Sequence, residues 1–209
     1  MAACTAYYLT GIQTSCNSNK PSIRRILVGE FGSTTIKHDM GSQTAGDYAD
    51  VTIQMKADGT TPVTDSDERH IIKDIINVSA PAEGHEWVEF LFRKNTCSAS
   101  SEMTTNDNGT FYWTNSINMV FAKQDWEKRL AIQALASGDC SVIYEDGNGN
   151  WWMLGLDDAV SLTTATANTG TALGDNNQYE LTMSEESAIL PVPLNAQNAQ
   201  TIVTTLLGQ

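Results

Sequence analysis

Apolar and polar residues alternate along much of the chain with a period of two, the spacing of a half-buried strand. DVTIQMK (50–56) sets Val51, Ile53 and Met55 against Thr52, Gln54 and Lys56. EWVEFLFRK (86–94) sets Val88, Phe90 and Phe92, the better core face, against Trp87, Glu89, Leu91 and Arg93. TFYWTNSINMVFA (110–122) carries Phe111, Trp113, Ile117, Met119 and Phe121 on odd positions, broken by Asn115. It reads as one long strand or a bulged pair. SIRRILVGEF (22–31) is an apolar strand with a basic pair, followed by Gly32. HIIKDIINV (70–78) is β-branched and fits either a strand or a short helix.

Turn residues divide these runs. ADGTTP (57–62) is a turn, and NDNG (106–109) is a strong hairpin signal. CSVIYE (140–145), DGNGN (146–150) and WWMLGL (151–156) predict a second hairpin. AVSLTTATA (159–167) and YELTMS (179–184) predict a further pair, joined by an exposed loop rich in Gly, Asn and Thr. One segment breaks the period. KQDWEKRLAIQALASG (123–138) places Trp126, Leu130, Ala134 and Leu135 at helical spacing, with Gly138 as a stop. It predicts a helix over 123–137 lying on a sheet.

About nine strands and one helix predict a mainly-β fold, a β-sandwich or barrel with one flanking α-helix. No repeat or domain boundary stands out, so residues 1–209 are read as a single mainly-β domain. Residues 187–209, uncharged from Pro191 onward, are read as a C-terminal extension or a final strand.

The second hairpin raises a question. Trp151 and Trp152 are adjacent, and neighbouring side chains of a strand point to opposite faces. Both cannot enter one core layer. One faces inward, and the other meets solvent, a ligand, a second copy, or a further layer of the same chain.

Charge changes the picture. The 209 residues carry a formal net charge of -13, which argues against clamping nucleic-acid phosphates or docking on an anionic membrane. Residues 130 to 209 contain no Lys or Arg but nine acids: Asp139, Glu145, Asp146, Asp157, Asp158, Asp175, Glu180, Glu185 and Glu186. Such a segment is either an ordinary solvated surface or a single-sign face with a task, such as repelling a polyanion. MAACTAYYLTGIQ lacks the basic and long apolar regions of a targeting segment, and no run reaches membrane-spanning length. Cys4, Cys16, Cys97 and Cys140 are scattered without a C-x-x-C, which suits reduced thiols; a Cys4–Cys16 bridge is the alternative.

Candidate chemistry is sparse. His38, His70 and His85 have no metal-ligand spacing, and no nucleophile elbow, P-loop or dinucleotide fingerprint occurs. Asp146, Asn148, Asn150 and Asp157 fall at positions one, three, five and twelve of a calcium-loop pattern. Trp151 replaces its glycine and the bidentate Glu is missing, so a plain turn is the better reading. Asp157–Asp158 and Glu185–Glu186 are adjacent acids, not carboxylates held across a cleft. No catalytic residue, metal site or cofactor is expected. An exposed Trp among Asn and Asp could stack on a sugar.

Three stretches taken together resemble a known family. They are LTGIQTSCNSNKPSIRRILVGEF (9–31), FYWTNSINMVFAKQDWEKRLAIQALASGDCSVIYEDGNGNWWMLGL (111–156) and TGTALGDNNQYELTMSEE (169–186). Their order and spacing are similar to structural proteins of the tails of Bacteroidetes-infecting, crAss-like bacteriophages. The shared pattern runs from a Cys-containing start through a strand and a helix ending in A-L. V-I-x-E-D-x-N-G-x-x-W-x-L-G and T-G-x-A-x-G-D-x-N-x-Y-x-L-T follow. The resemblance covers about half the chain. It departs at Gln178, where the pattern has glycine, and at Lys20-Pro21-Ser22, where glycines are expected; both bear on local turn shape.

The resemblance implies a non-enzymatic tail-tube or tail-ring subunit of the virion, made in the host bacterial cytoplasm. Its implied partners are itself, in a cyclic ring of six- or twelve-fold order, and other tail or portal-proximal virion proteins. DNA would pass without specific binding, and no membrane is involved. Trp151, Trp152 and Trp126 become self-association candidates, and the nine acids from Asp139 to Glu186 become candidates for facing a channel. A carbohydrate-binding or host-contact module, and a head–tail joining or capsid-decorating protein, are the alternative readings.

Overall fold

The computed structural model describes residues 20–32, 34–38, 72–77, 87–93, 95–156, 158–195 and 198–207, with 34–38 and 72–77 as backbone only. In chain order the strands are β1 (Ile23–Glu30), β2 (Thr34–His38), β3 (Ile72–Asn77), β4 (Val88–Phe90), β5 (Cys97–Thr105) and β6 (Phe111–Ala122). After helix α1 (Trp126–Ser137) come β7 (Cys140–Asp146), β8 (Trp151–Leu154), β9 (Ser161–Asn168), β10 (Gln178–Ser187), β11 (Val192–Pro193) and helix α2 (Ala199–Leu206). The strand expected at 50–56, its turn, Cys4, Cys16, His70 and His85 lie outside the described residues.

The strands form two antiparallel sheets and a ribbon. One sheet has the order β11-β8-β7-β1-β4, the other β5-β6-β10-β9, and β2 pairs with β3 alone. The fold is mainly β, two sheets packed as a sandwich with α1 at the flank.

Both faces of the five-stranded sheet are apolar, and alternation assigns each residue to one of them. Ile26 and Val28 of β1, Val142 and Tyr144 of β7, and Leu154 of β8 face the four-stranded sheet. Leu27, Ile143, Trp151 and Met153 face the other way, into a second cluster with Trp87, Ile202, Val203 and Leu206. Helix α2 supplies the last three and seals that face. A register shift between Ile23 and Arg25 returns Ile23 to the inter-sheet layer. Gly29 lies where Trp87 crosses β1, and a methyl group there would run into the indole.

Among the described residues the four-stranded sheet is covered on one face only. Ile117, Met119 and Phe121 of β6 and Leu181 and Met183 of β10 point inward, as the odd-position reading of 110–122 expects. Phe90 and Phe92 pack their rings on Phe121 at 5.8 and 5.7 Å. The β5–β6 turn closes as its NDNG sequence demands. The Gly109 amide donates to the Asn106 carbonyl at 2.9 Å, and Gly109 sits at φ +81°.

Helix α1 is capped by Asp125, which accepts from the Lys128 amide at 2.9 Å. Its buried side differs from the expected stripe. Leu135 is buried and Ile132 packs beside it, whereas Trp126 and Leu130 are 69% and 52% exposed. Trp126 and Leu135 are nine residues apart, two and a half helical turns, so one faces out when the other faces in. Residues 187–209, read as a C-terminal extension or a final strand, include a short final strand, β11, and also a helix, the amphipathic α2.

Because α2 is the cover for a whole sheet face, truncating it should unfold more than the helix. Ile202→Ala should cost about 2–4 kcal/mol in a urea titration followed by tryptophan fluorescence. A loss confined to helical ellipticity, with an unchanged fluorescence midpoint, would contradict this packing.

Candidate functional site

Both hairpin tryptophans are used inside the chain. Trp151 is 6% exposed and belongs to the layer under α2, with Arg25 Cζ 5.5 Å from its ring centroid. Trp152 packs on the inter-sheet core, and its indole N–H donates to Asp146 Oδ2 at 3.3 Å. Neither offers a stacking platform or a large contact surface. Of the three self-association candidates, Trp126 alone is exposed.

The nine acids separate. Glu185 is turned inward and 6% exposed, a correction to its place among channel-facing candidates. Its carboxylate accepts from Asn115 Nδ2 at 2.8 Å and from the Gly155 amide at 2.5 Å. Asn115 also donates to the Ile189 carbonyl at 3.1 Å, so one buried polar knot ties β6, β10, the end of β8 and the chain after β10. Glu185 follows Leu181 and Met183 at strand spacing, and that period marked its direction.

Glu145 and Asp146 are occupied at the β7–β8 turn. Glu145 pairs with Arg24 at 3.2 Å. Asp146 Oδ1 accepts from the amides of Asn148 and Asn150, both at 2.8 Å, and Oδ2 from Asn150 Nδ2 at 2.9 Å. Burial opposes ionisation of Asp146, but the donors from Asn150, Trp152 and Asn148 outweigh it and hold the carboxyl below its usual range. Its oxygens organise a hairpin turn. Asp139, Asp158 and Asp175 are exposed, with Asp175 accepting from the amides of Thr171 and Ala172 in the β9–β10 loop. Asp157 lies outside the described residues.

Glu180 and Glu186 do share a face. They point outward from β10 with Thr182 and Ser184, opposite to Leu181 and Met183. The register sets Glu102 of β5 and Glu186 of β10 on either side of Thr114 in β6. Ser98, Ser100, Thr114, Ser116, Asn118, Thr164 and Thr166 fill the surrounding positions. This outer sheet face is mostly hydroxyls and amides, with Tyr112, Val120 and Ala122 toward the two ends of β6, and its charged strand residues are Glu102, Glu180 and Glu186. It holds no cation. Glu102 was not among the expected acids, because it lies outside the base-free segment.

The same sheet ends in β5 and β9, whose outer edges have no strand partner among the described residues. CSASSEMTT and SLTTATAN contain no Lys, Arg or Pro. β5 carries one charge, Glu102, and β9 has a register shift where it passes Thr182 and Met183, but neither has the lysines or prolines that commonly keep an edge from pairing with another chain.

Cys97 and Cys140 are buried free thiols in the inter-sheet core, and burial raises both above the ordinary thiol range. Among the described residues no group of three His, Cys, Asp or Glu is placed to hold a metal ion. No described helix is long and apolar enough to cross a membrane. No protein-family model, curated protein or solved structure matches the chain.

The Asp146 turn yields a signed expectation. Its folded pKa is depressed, so its contribution is present above the unfolded aspartate value near 3.9 and is lost as pH falls through the folded one. Asp146→Ala should lose about 1–2 kcal/mol at pH 7, at the low end because solvent reaches the turn. The gap from wild type should narrow steadily below about pH 4 in denaturant titrations. A gap independent of pH would mean that the carboxylate charge contributes nothing.

Proposed function

We propose that this chain is a non-enzymatic structural subunit of a bacteriophage tail that self-associates into a ring or tube through which DNA passes. The observation that carries the reading is the four-stranded sheet. Among the described residues it has two long edges free of lysine and proline, one buried apolar face and one uncovered face whose charged strand residues are all acids. Edge pairing of β5 on one copy with β9 on the next satisfies both rows of free backbone groups. Repeated around an axis, that heterologous contact closes a ring.

The solvent face then becomes the lining. Like charge repels phosphates, and hydroxyls and amides present no cation for them to grip. Transit of DNA needs both properties. The tail resemblance of 9–31, 111–156 and 169–186 supports the same role independently of the sheet. The glycan-binding alternative loses ground, since both tryptophans at the Asn- and Asp-rich turn are turned inward. Ring order and neighbouring tail proteins follow from the resemblance alone.

Ala99 and Ala165 lie on the inward side of the two edge strands and are exposed in the single chain. A lysine there should leave the fold within about 1 kcal/mol yet block strand pairing. Ala99→Lys and Ala165→Lys should each shift mass photometry from ring to subunit. Rings of unchanged mass in both variants would sink the edge-pairing model.

The lining is tested by topology. Assembled particles carrying Glu180→Lys and Thr182→Lys should retain linear duplex DNA, which can thread, and not covalently closed circles. Equal retention of both forms would put this face on the outside.

A further inference from the structure

The four-stranded sheet has two unlike ends. Its longest strand, β6, has 12 residues and spans roughly 36 Å from the hairpin tip to α1. At the tip, Met103, Phe111 and Leu190 are 55%, 52% and 47% exposed. Phe111 and Leu190 border an open groove of about 360 Å³ with Trp113, Ile189, Pro191 and Pro193. Charge at this end comes from Glu102, Asp107 and Glu186, and residues 95–122 and 130–209 contain no Lys or Arg.

The opposite end gathers basic side chains, with Asp175, Glu145 and Asp146 nearby. Two adjoining grooves share Arg93, one reaching Lys20 and Arg24, the other Lys123. Lys20, Arg93 and Lys123 have no ion pair among the described residues, whereas Arg24, Arg25 and Lys128 each have one. Backbone conformation singles out the same place. Ser22, Asn95 and Lys123, at φ 84°, 63° and 65°, are the left-handed non-glycine residues of the described chain, and all three line these grooves. Such conformations persist where surrounding structure enforces them, and they gather at binding sites. Trp126 and Leu130 add exposed apolar surface on the neighbouring α1.

We propose that copies of this chain join head to tail, the acidic and apolar hairpin tip of one seating against the Arg93 grooves of the next. The tip has acids and no Lys or Arg among the described residues, the grooves have the cations without an ion pair, and each end also offers apolar area. The two surfaces differ, so the contact is heterologous and propagates along the long axis of the sheet. Edge pairing runs across that axis, so the two contacts do not compete. The inference rests on the chain being a self-assembling subunit, and it names a second interface for that assembly. A phosphate polyanion is the other chemistry that suits cationic grooves. The exposed Trp126 and Leu130 beside the grooves favour the tip instead, because Met103, Phe111 and Leu190 offer them an apolar counterpart that a polyphosphate lacks.

The test is charge reversal and rescue on the full chain, read by sedimentation velocity and negative-stain imaging, with circular dichroism to verify folding. Arg93→Glu with Lys123→Glu should weaken end-to-end growth at least about tenfold, because like charges then meet. Glu102→Lys with Glu186→Lys should do the same. Mixing the two doubly substituted proteins should restore growth, as should all four changes in one chain. High salt should weaken the wild-type contact. Growth unaffected by either reversal, or no restoration in the mixture, overturns the proposal. So does saturable binding of inorganic polyphosphate to the wild type with no end-to-end growth. Head-to-tail oligomers with charge rescue but without closed rings would sustain this contact and refute lateral edge pairing alone.

Discussion

The structure depends on one constraint: the five-stranded sheet is apolar on both faces, and a strand cannot hide both from water by itself. β1, β7 and β8 place Ile26, Val142 and Leu154 on one side and Leu27, Ile143 and Met153 on the other. Two covers are therefore needed. The four-stranded sheet is one, and α2 with Trp87 is the other. Trp151 and Trp152 are the sharpest expression of this demand. Adjacent in sequence, they enter different layers of the same chain, and their bulk contributes to both.

This arrangement leaves the four-stranded sheet in an asymmetric position. Its inner face is committed to the sandwich, and its outer face has no cover among the described residues. That face is polar apart from Val120 and Ala122 near the α1 end of β6, so it does not demand a continuous apolar lid. Its edges, by contrast, expose backbone groups with no lysine or proline among their strand residues. A protein that must stay monomeric pays for such edges in aggregation risk. Here the edges, the acid-only face and the two unlike ends fit a subunit built to be repeated. The buried knot of Asn115, Glu185 and Gly155 fixes the two sheets relative to one another, so the edges are presented on a rigid body.

Much of the fold was legible because burial follows period two. The odd positions of 111–121, the NDNG turn, the hairpin around DGNGN and the pairing of 159–167 with 179–184 all follow from alternation and turn chemistry. The failures have physical causes. TIVTTL in α2 is rich in β-branched residues, which favour strands, and packing on Trp151 and Met153 overrides that preference. In α1 the apolar residues span more than one side, so spacing could not choose between Trp126 and Leu135. Glu185 was grouped with Glu186 by charge, whereas strand alternation separates them. The site itself was half legible. Charge bias pointed to Glu180 and Glu186, but only strand register could add Glu102 and reveal the edges.

The central claim is that the four-stranded sheet is an assembly surface. The most direct measurement is the mass of the purified full chain by light scattering, with negative-stain images of the same peak. A closed ring with a central hole is the expected result. A monomer at every concentration and salt tested, with rapid amide exchange along both β5 and β9, would contradict the account.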